Sequence, residues 1–224
     1  MGVFLIYFAL LLIIPLWAQS KVKNTYKKYS KVANSSSMTG AQVARKILDE
    51  NGLFDVTIEE VKGVLSDHYD PRSKVVRLSS NNYHGHSMAA AAIAAHEVGH
   101  AIQDAENYAF LKFRSALVPL ASFGSRTAIY IIIAGIIFSI PGLQLFGIIF
   151  MAAAVLFQIV TLPVEFNASS RAMDQLVGTG IIMNEEERET KKVLDAAALT
   201  YVAAALVAVM ELLRFVLIFL NSND

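Results

Sequence analysis

The sequence predicts a mainly α membrane protein, with about four transmembrane helices and a smaller α+β cytoplasmic part. That part is expected to contain a β-hairpin and a His-Glu-x-x-His helix. Three observations lead to this reading. Of 224 residues, 55% are hydrophobic and 17% charged, and mean hydropathy is +0.48, too apolar for an ordinary soluble domain. Uncharged apolar runs recur along the chain, one of them, Leu143 to Leu162, long enough to cross a bilayer without interruption. The 19 basic and 19 acidic residues cancel, yet the basic ones are unevenly placed: most lie from Lys21 through Arg126, the rest between Arg171 and Lys192 except for Arg214. Four spans with both connecting regions in the cytoplasm fit that distribution.

Taken in order, residues 2–18 form an apolar anchor. Positive charge follows it (Lys21, Lys23, Lys27, Lys28, Lys31) rather than preceding it, which points to a retained span with its N-terminus outside and not to a secretory signal. Residues 19–116 make the main cytoplasmic part. Its Lys/Tyr segment either lies along an anionic leaflet or is a solvated linker. After the break at Ser35-Ser36-Ser37, Thr39 to Glu50 reads as a helix with a Thr39-x-x-Gln42 capping box and an Asn51-Gly52 stop. Residues 56–65 and 74–79 are β-rich and flank strong turn chemistry at Asp67-His68-Tyr69-Asp70-Pro71-Arg72, so a hairpin is expected. Its second strand, Val75-Val76-Arg77-Leu78-Ser79, leads towards the metal helix and is expected to be an edge strand to which an extended peptide could add.

Residues 117–162 read as a membrane hairpin turning at Ile140-Pro141-Gly142. Residues 163–195 read as cytoplasmic helices, one starting at Pro163 and one at the capping pattern Asn184 to Glu187. Residues 196–220 complete the fourth span, where Glu211 and Arg214, three apart, can neutralise each other.

The chemistry centres on Ala94-Ala95-His96-Glu97-Val98-Gly99-His100-Ala101-Ile102-Gln103, in a segment from Met88 with no proline and many alanines. On a helix His96 and His100 share a face and can bind one metal ion, with Glu97 placed to take a proton from a metal-bound water. This is the arrangement of zinc peptidases. Gly99, between the ligands, would let another segment pack closely. The chain has no cysteine, so disulfides and thiolate ligands are excluded and zinc must be held by His, Asp or Glu. A catalytic zinc usually has three protein ligands. Glu165 is the first acidic residue after the third span, on the same membrane side as the histidines, and is the expected third ligand. His84 and His86 can form a second metal site, line the cleft or simply be exposed; His84 is also a candidate proton donor to the reaction intermediate. No phosphate loop, internal repeat or nucleic-acid signature is present.

The chain resembles the YugP-type family of bacterial membrane zinc metallopeptidases across nearly its whole length. The resemblance is carried by Asp67-His68-Tyr69-Asp70-Pro71, Val76-Arg77-Leu78-Ser79, Tyr83-His84-Gly85, the ten residues from Ala94 to Gln103, and Leu162-Pro163-Val164-Glu165-Phe166. More distantly it is similar to the HtpX heat-shock protease and the CAAX prenyl proteases. The resemblance implies a zincin-like, gluzincin-like peptidase in a multi-pass bacterial cell-membrane protein, holding one Zn²⁺ per chain by His96, His100 and Glu165. The distant families carry an Asp that orients a zinc-bound histidine where this chain has Ser169, which leaves Ser169 and Asp174 as candidates for that role.

The resulting expectation is a membrane-embedded zinc-dependent endopeptidase in which Glu97 assists attack of zinc-bound water on a peptide bond. Its partners would be a membrane or unfolded polypeptide and the lipid bilayer, not nucleic acid. Two alternatives stand beside it. One is a membrane chaperone or scaffold with structural zinc, for which His84 would be the fourth ligand; the other is an intramembrane protease.

Overall fold

A computed structural model describes residues 2–222. Its elements in chain order are α1 (Gly2–Tyr29), α2 (Gly40–Glu50), β1 (Thr57–Val61), β2 (His68–Asp70), β3 (Val75–Ser79), α3 (Ser80–Tyr83), α4 (Met88–Ala105), α5 (Ala109–Ile137), α6 (Pro141–Gly178) and α7 (Asn184–Ser222). The helices α1, α5, α6 and α7 are long and apolar enough to cross a membrane. Two compact units result. Among the described residues, one comprises residues 2–16, 109–163 and 201–222; the other comprises residues 17–108 and 164–200 and contains the sheet and α4.

In the apolar unit, interior positions go to small residues where helices meet. A Cβ on Gly124 would lie 2.4 Å from the Phe150 carbonyl oxygen of α6, so α5 and α6 touch backbone to backbone there. Glu211 accepts hydrogen bonds from the Tyr7 hydroxyl (2.7 Å) and from Arg214 (2.9 Å), and the Arg214 guanidinium lies over the Tyr7, Phe8 and Phe215 rings. The expected Glu211–Arg214 pair thus also ties α7 to α1.

The other unit is built on α4. Ser87 caps it by accepting from Ala90 N, and alanines at 89–92, 94 and 95 are buried, so α4 has almost no free face. Small side chains let α2 and the sheet come close to it. Helix α2 has the full Thr39/Gln42 capping box and buries Val43, Ala44, Ile47 and Leu48, one apolar stripe at helical spacing. Val76, Leu78, Val98, Ala172 and Leu176 complete the core.

The sheet differs from the expected hairpin. Its order is β1-β3-β2, with β1 parallel and β2 antiparallel to β3. The segment 56–65 does not continue as a strand beyond Val61, because the chain turns at Gly63 (φ 122°) and Leu65 (φ 55°). That turn carries the chain to the far side of β3. There His68–Asp70, read from sequence as turn, pairs with Val75–Arg77, and the true hairpin closes over residues 71–74. Asp70 stabilises the closure through Ser73 (2.7 Å), Arg72 N (3.0 Å) and Arg77 (3.3 Å); these donors hold its carboxyl down at about 2.

The second correction concerns Val75, Val76, Arg77, Leu78 and Ser79. This strand is central: β1 pairs with it from Val75 to Ser79 and β2 from Val75 to Arg77, so it is not the free edge expected for peptide addition. The burial explains its place: Val75, Val76, Leu78 and Ser79 are all buried, whereas Thr57, Glu59 and Glu60 of β1 are exposed. Alternation alone did not reveal burial on both faces.

The turn-like motif has structural work. Asp67 accepts from Ser79 N (2.7 Å) and Asn82 Nδ2 (2.9 Å), fixing the exit from β3. Tyr69 donates to Asp104 (2.9 Å), joining β2 to the end of α4; burial and that carboxylate push the Tyr69 phenol up. Three boundaries also move. Helix α1 continues past residue 18 to Tyr29, whose hydroxyl donates to Glu189. Helix α6 runs through Pro163 instead of restarting there. At the start of α7, Glu186, not Glu187, closes the cap by accepting from Met183 N (3.0 Å).

Candidate metal centre

Helical spacing puts His96 and His100 on one face of α4, their rings 4.8 Å apart and nearly perpendicular at 84°. Opposite them lies the 164–178 part of α6. The approach depends on Gly99. A Cβ there would stand 2.6 Å from the Ala168 carbonyl oxygen and 3.2 Å from its carbon, backbone atoms that cannot swing away. One helical turn before Ala168, Glu165 is thereby brought over the histidines. Its Oε2 lies 3.3 Å from His96 Nε2 and 3.6 Å from His100 Nε2.

These separations suit one ion. Zinc bonds of roughly 2.0–2.1 Å at tetrahedral angles put neighbouring ligand atoms about 3.3 Å apart. One ligand atom from each of His96, His100 and Glu165 falls within 4.8 Å of the others, and among the described residues the group has three members. Glu165 is 2% exposed and each histidine 12%, so the donors are sheltered but reachable. A buried carboxylate beside two imidazoles, with no thiolate available, is a hard and borderline donor set that fits Zn²⁺.

The Nδ1 atoms are also engaged. His96 Nδ1 lies 3.2 Å from Ser169 Oγ, and His100 Nδ1 lies 3.0 Å from Gln103 Oε1. Both contacts leave Nε2 facing Glu165, as a second sphere around a metal should. Of the two candidates the resemblance left for an orienting group, Ser169 is the one in contact with a histidine. Asp174, the other candidate, is exposed further along α6 and is absent from both contacts. His84 is exposed and pairs with Glu60 (3.2 Å), outside the group of three; His86 contacts the Ser37 carbonyl oxygen (2.7 Å).

Glu97 is buried next to the histidines. Burial pushes its carboxyl up from the ordinary carboxylate range, while the charges of His96 and His100 oppose that rise. Among the described residues no side-chain hydrogen bond engages it, so its oxygens are not spent on the protein. Gln103 was missed as a functional residue, although its position three after His100 on the same helix face was a usable signal. Asn167 and Arg171, which join it below, carried no signal in sequence.

The close packing at Gly99 makes a direct prediction. Gly99→Ala should drive α6 away from α4, lowering stability by about 1–3 kcal/mol through overpacking and reducing zinc retention. Thermal unfolding and metal content check this; a variant that melts and binds zinc like wild type would show that the helices can part without cost.

Similarity to known proteins agrees with the geometry. Residues 4–220 match the family described as "Putative neutral zinc metallopeptidase". Over 211 residues the chain is 54% identical to the "Putative membrane protease YugP" of Bacillus subtilis (strain 168), covering 94% of each chain. No solved structure matches it. With the match running through the helix of His96 and His100 and through Glu165, the chain belongs to the neutral zinc metallopeptidase family.

Proposed function

We propose that the protein is a membrane-embedded, zinc-dependent endopeptidase whose site faces the cytoplasm. The observation that carries the reading is the meeting of His96, His100 and Glu165 around one point, with the uncommitted Glu97 carboxylate beside it. Zinc, when bound, supplies Lewis acidity that polarises a carbonyl and acidifies a water. His96, His100 and Glu165 would hold it. Glu97 takes the proton of the attacking water and returns it to the departing amine, the two halves of general acid–base catalysis.

Two features speak against the alternatives. Structural zinc is closed by a fourth protein ligand, and the group has three members with His84 paired elsewhere. An intramembrane protease would need its metal helix in the bilayer, whereas α4 is not among the helices long and apolar enough to span. The proposed substrates are membrane or unfolded polypeptides. Cleavage of an unfolded protein by the purified, zinc-loaded chain, lost on chelation and restored by zinc, is the expected result; no cleavage under any metal condition would sink the reading.

Sidedness has its own test, helped by the absence of native cysteine. Lys62→Cys places one thiol on an exposed loop of the sheet-containing unit. It should resist a membrane-impermeant maleimide in intact cells and react in inside-out vesicles. Labelling of intact cells would reverse the orientation.

A further inference from the structure

We infer that Gln103 is a positioning residue of the metal centre: it holds the His100 imidazole in the tautomer a metal requires and bonds it to the helix carrying Glu165. The inference rests on the zinc reading above and deepens it.

A primary amide has an accepting end and a donating end, and its neighbours must decide which faces where. Here they have fixed roles. Arg171 Nε can only donate, and it lies 2.8 Å from Asn167 Oδ1, so that atom is the Asn167 oxygen. One terminal atom of Gln103 lies 2.9 Å from this oxygen and 2.8 Å from the Val164 backbone oxygen. Two acceptors demand a donor, which makes that atom Nε2. Oε1 is then the end at 3.0 Å from His100 Nδ1. An amide oxygen only accepts, so Nδ1 must carry a hydrogen. The neutral ring therefore presents the Nε2 lone pair towards the point shared with Glu165.

The chain of obligate roles runs from a guanidinium and a backbone carbonyl to the tautomer of a metal ligand. Arg171 is itself anchored by Glu106 (2.7 Å). His96 differs: its Nδ1 faces the Ser169 hydroxyl, which donates or accepts equally well and leaves the tautomer open. Val164, moreover, immediately precedes Glu165. The same amide therefore fixes the ring of one ligand and the backbone beside another. Gln103 is fully buried, so water cannot replace it readily.

The test uses the full chain in detergent and reads zinc affinity by chelator competition. It is paired with nitrogen-15 NMR of labelled histidine in the zinc-loaded protein. Gln103→Met, of similar length but without hydrogen bonds, should weaken zinc binding about 10–100-fold and expose the His100 Nδ1 proton to exchange. Arg171→Met, which touches neither histidine, should shift affinity in the same direction by a smaller factor. A folded Gln103→Met that binds zinc within about twofold of wild type, or keeps a protected His100 Nδ1 proton, overturns the inference. Should Gln103→Met fail to fold, Arg171→Met decides, and unchanged affinity there overturns it too. Wild type that binds no zinc would remove the zinc reading along with the inference. Tight wild-type binding with an indifferent Gln103→Met would remove only the inference.

Discussion

Glu97→Gln is expected to abolish peptide hydrolysis while zinc remains bound. The substitution keeps shape and burial but removes the group that moves the proton. A general base contributes typically about 10²–10⁴-fold, or roughly 3–5 kcal/mol of barrier, and more when the same carboxyl also serves as acid. Because the proposed metal donors are His96, His100 and Glu165 and not Glu97, the metal content of the variant should match wild type. Cleavage of an unfolded protein and zinc stoichiometry, measured on the same preparation, separate the roles. A Glu97→Gln protein that cleaves near the wild-type rate ends the mechanism.

Glu165→Ala should give the complementary result, with most zinc lost and activity lost with it. Removing its carboxylate leaves two imidazoles, a poor site without a thiolate to compensate. It also leaves the histidines without the buried anion that faces both of them at 3.3 and 3.6 Å. The chain should remain inserted, since the long apolar runs do not depend on the site. Metal analysis after membrane extraction is the measurement. Full zinc retention would show that Glu165 is not a ligand, whatever happens to activity.

The convergence of the candidate metal-site residues was largely legible because they are local or constrained by elimination. His96, Glu97 and His100 need only helical periodicity to converge, and Gly99 between them announces a close neighbour. Ala168 is that neighbour, brought to 2.6 Å from where a Gly99 Cβ would stand. Glu165 could be chosen because no cysteine competes and it is the first acidic residue after the third apolar run. The strand order was not legible in the same way. Val75–Ser79 has the composition of a strand in either an edge or a central position, and Asp67-His68-Tyr69-Asp70-Pro71 looks like a turn by every local preference. Its middle residues form β2 because Val76 and Arg77 offer backbone partners and Asp104 offers Tyr69 an acceptor, all supplied by distant chain.

By itself, then, the sequence determined the long apolar helices, the shared face of His96 and His100 on α4 and the absence of any thiolate, since these follow from composition and from spacing along one element. Only the tertiary structure decided that β3 lies inside its sheet and that His84 turns to Glu60. It also decided that Ser169 of α6 stands behind His96, and that Val164 and Asn167 of α6 turn the Gln103 amide so that its oxygen faces His100. The physical reason is the same in each case. A helix face is set by a repeat of 3.6 residues, but a hydrogen-bond partner across elements is set by which buried donors and acceptors remain to be satisfied once those elements have packed.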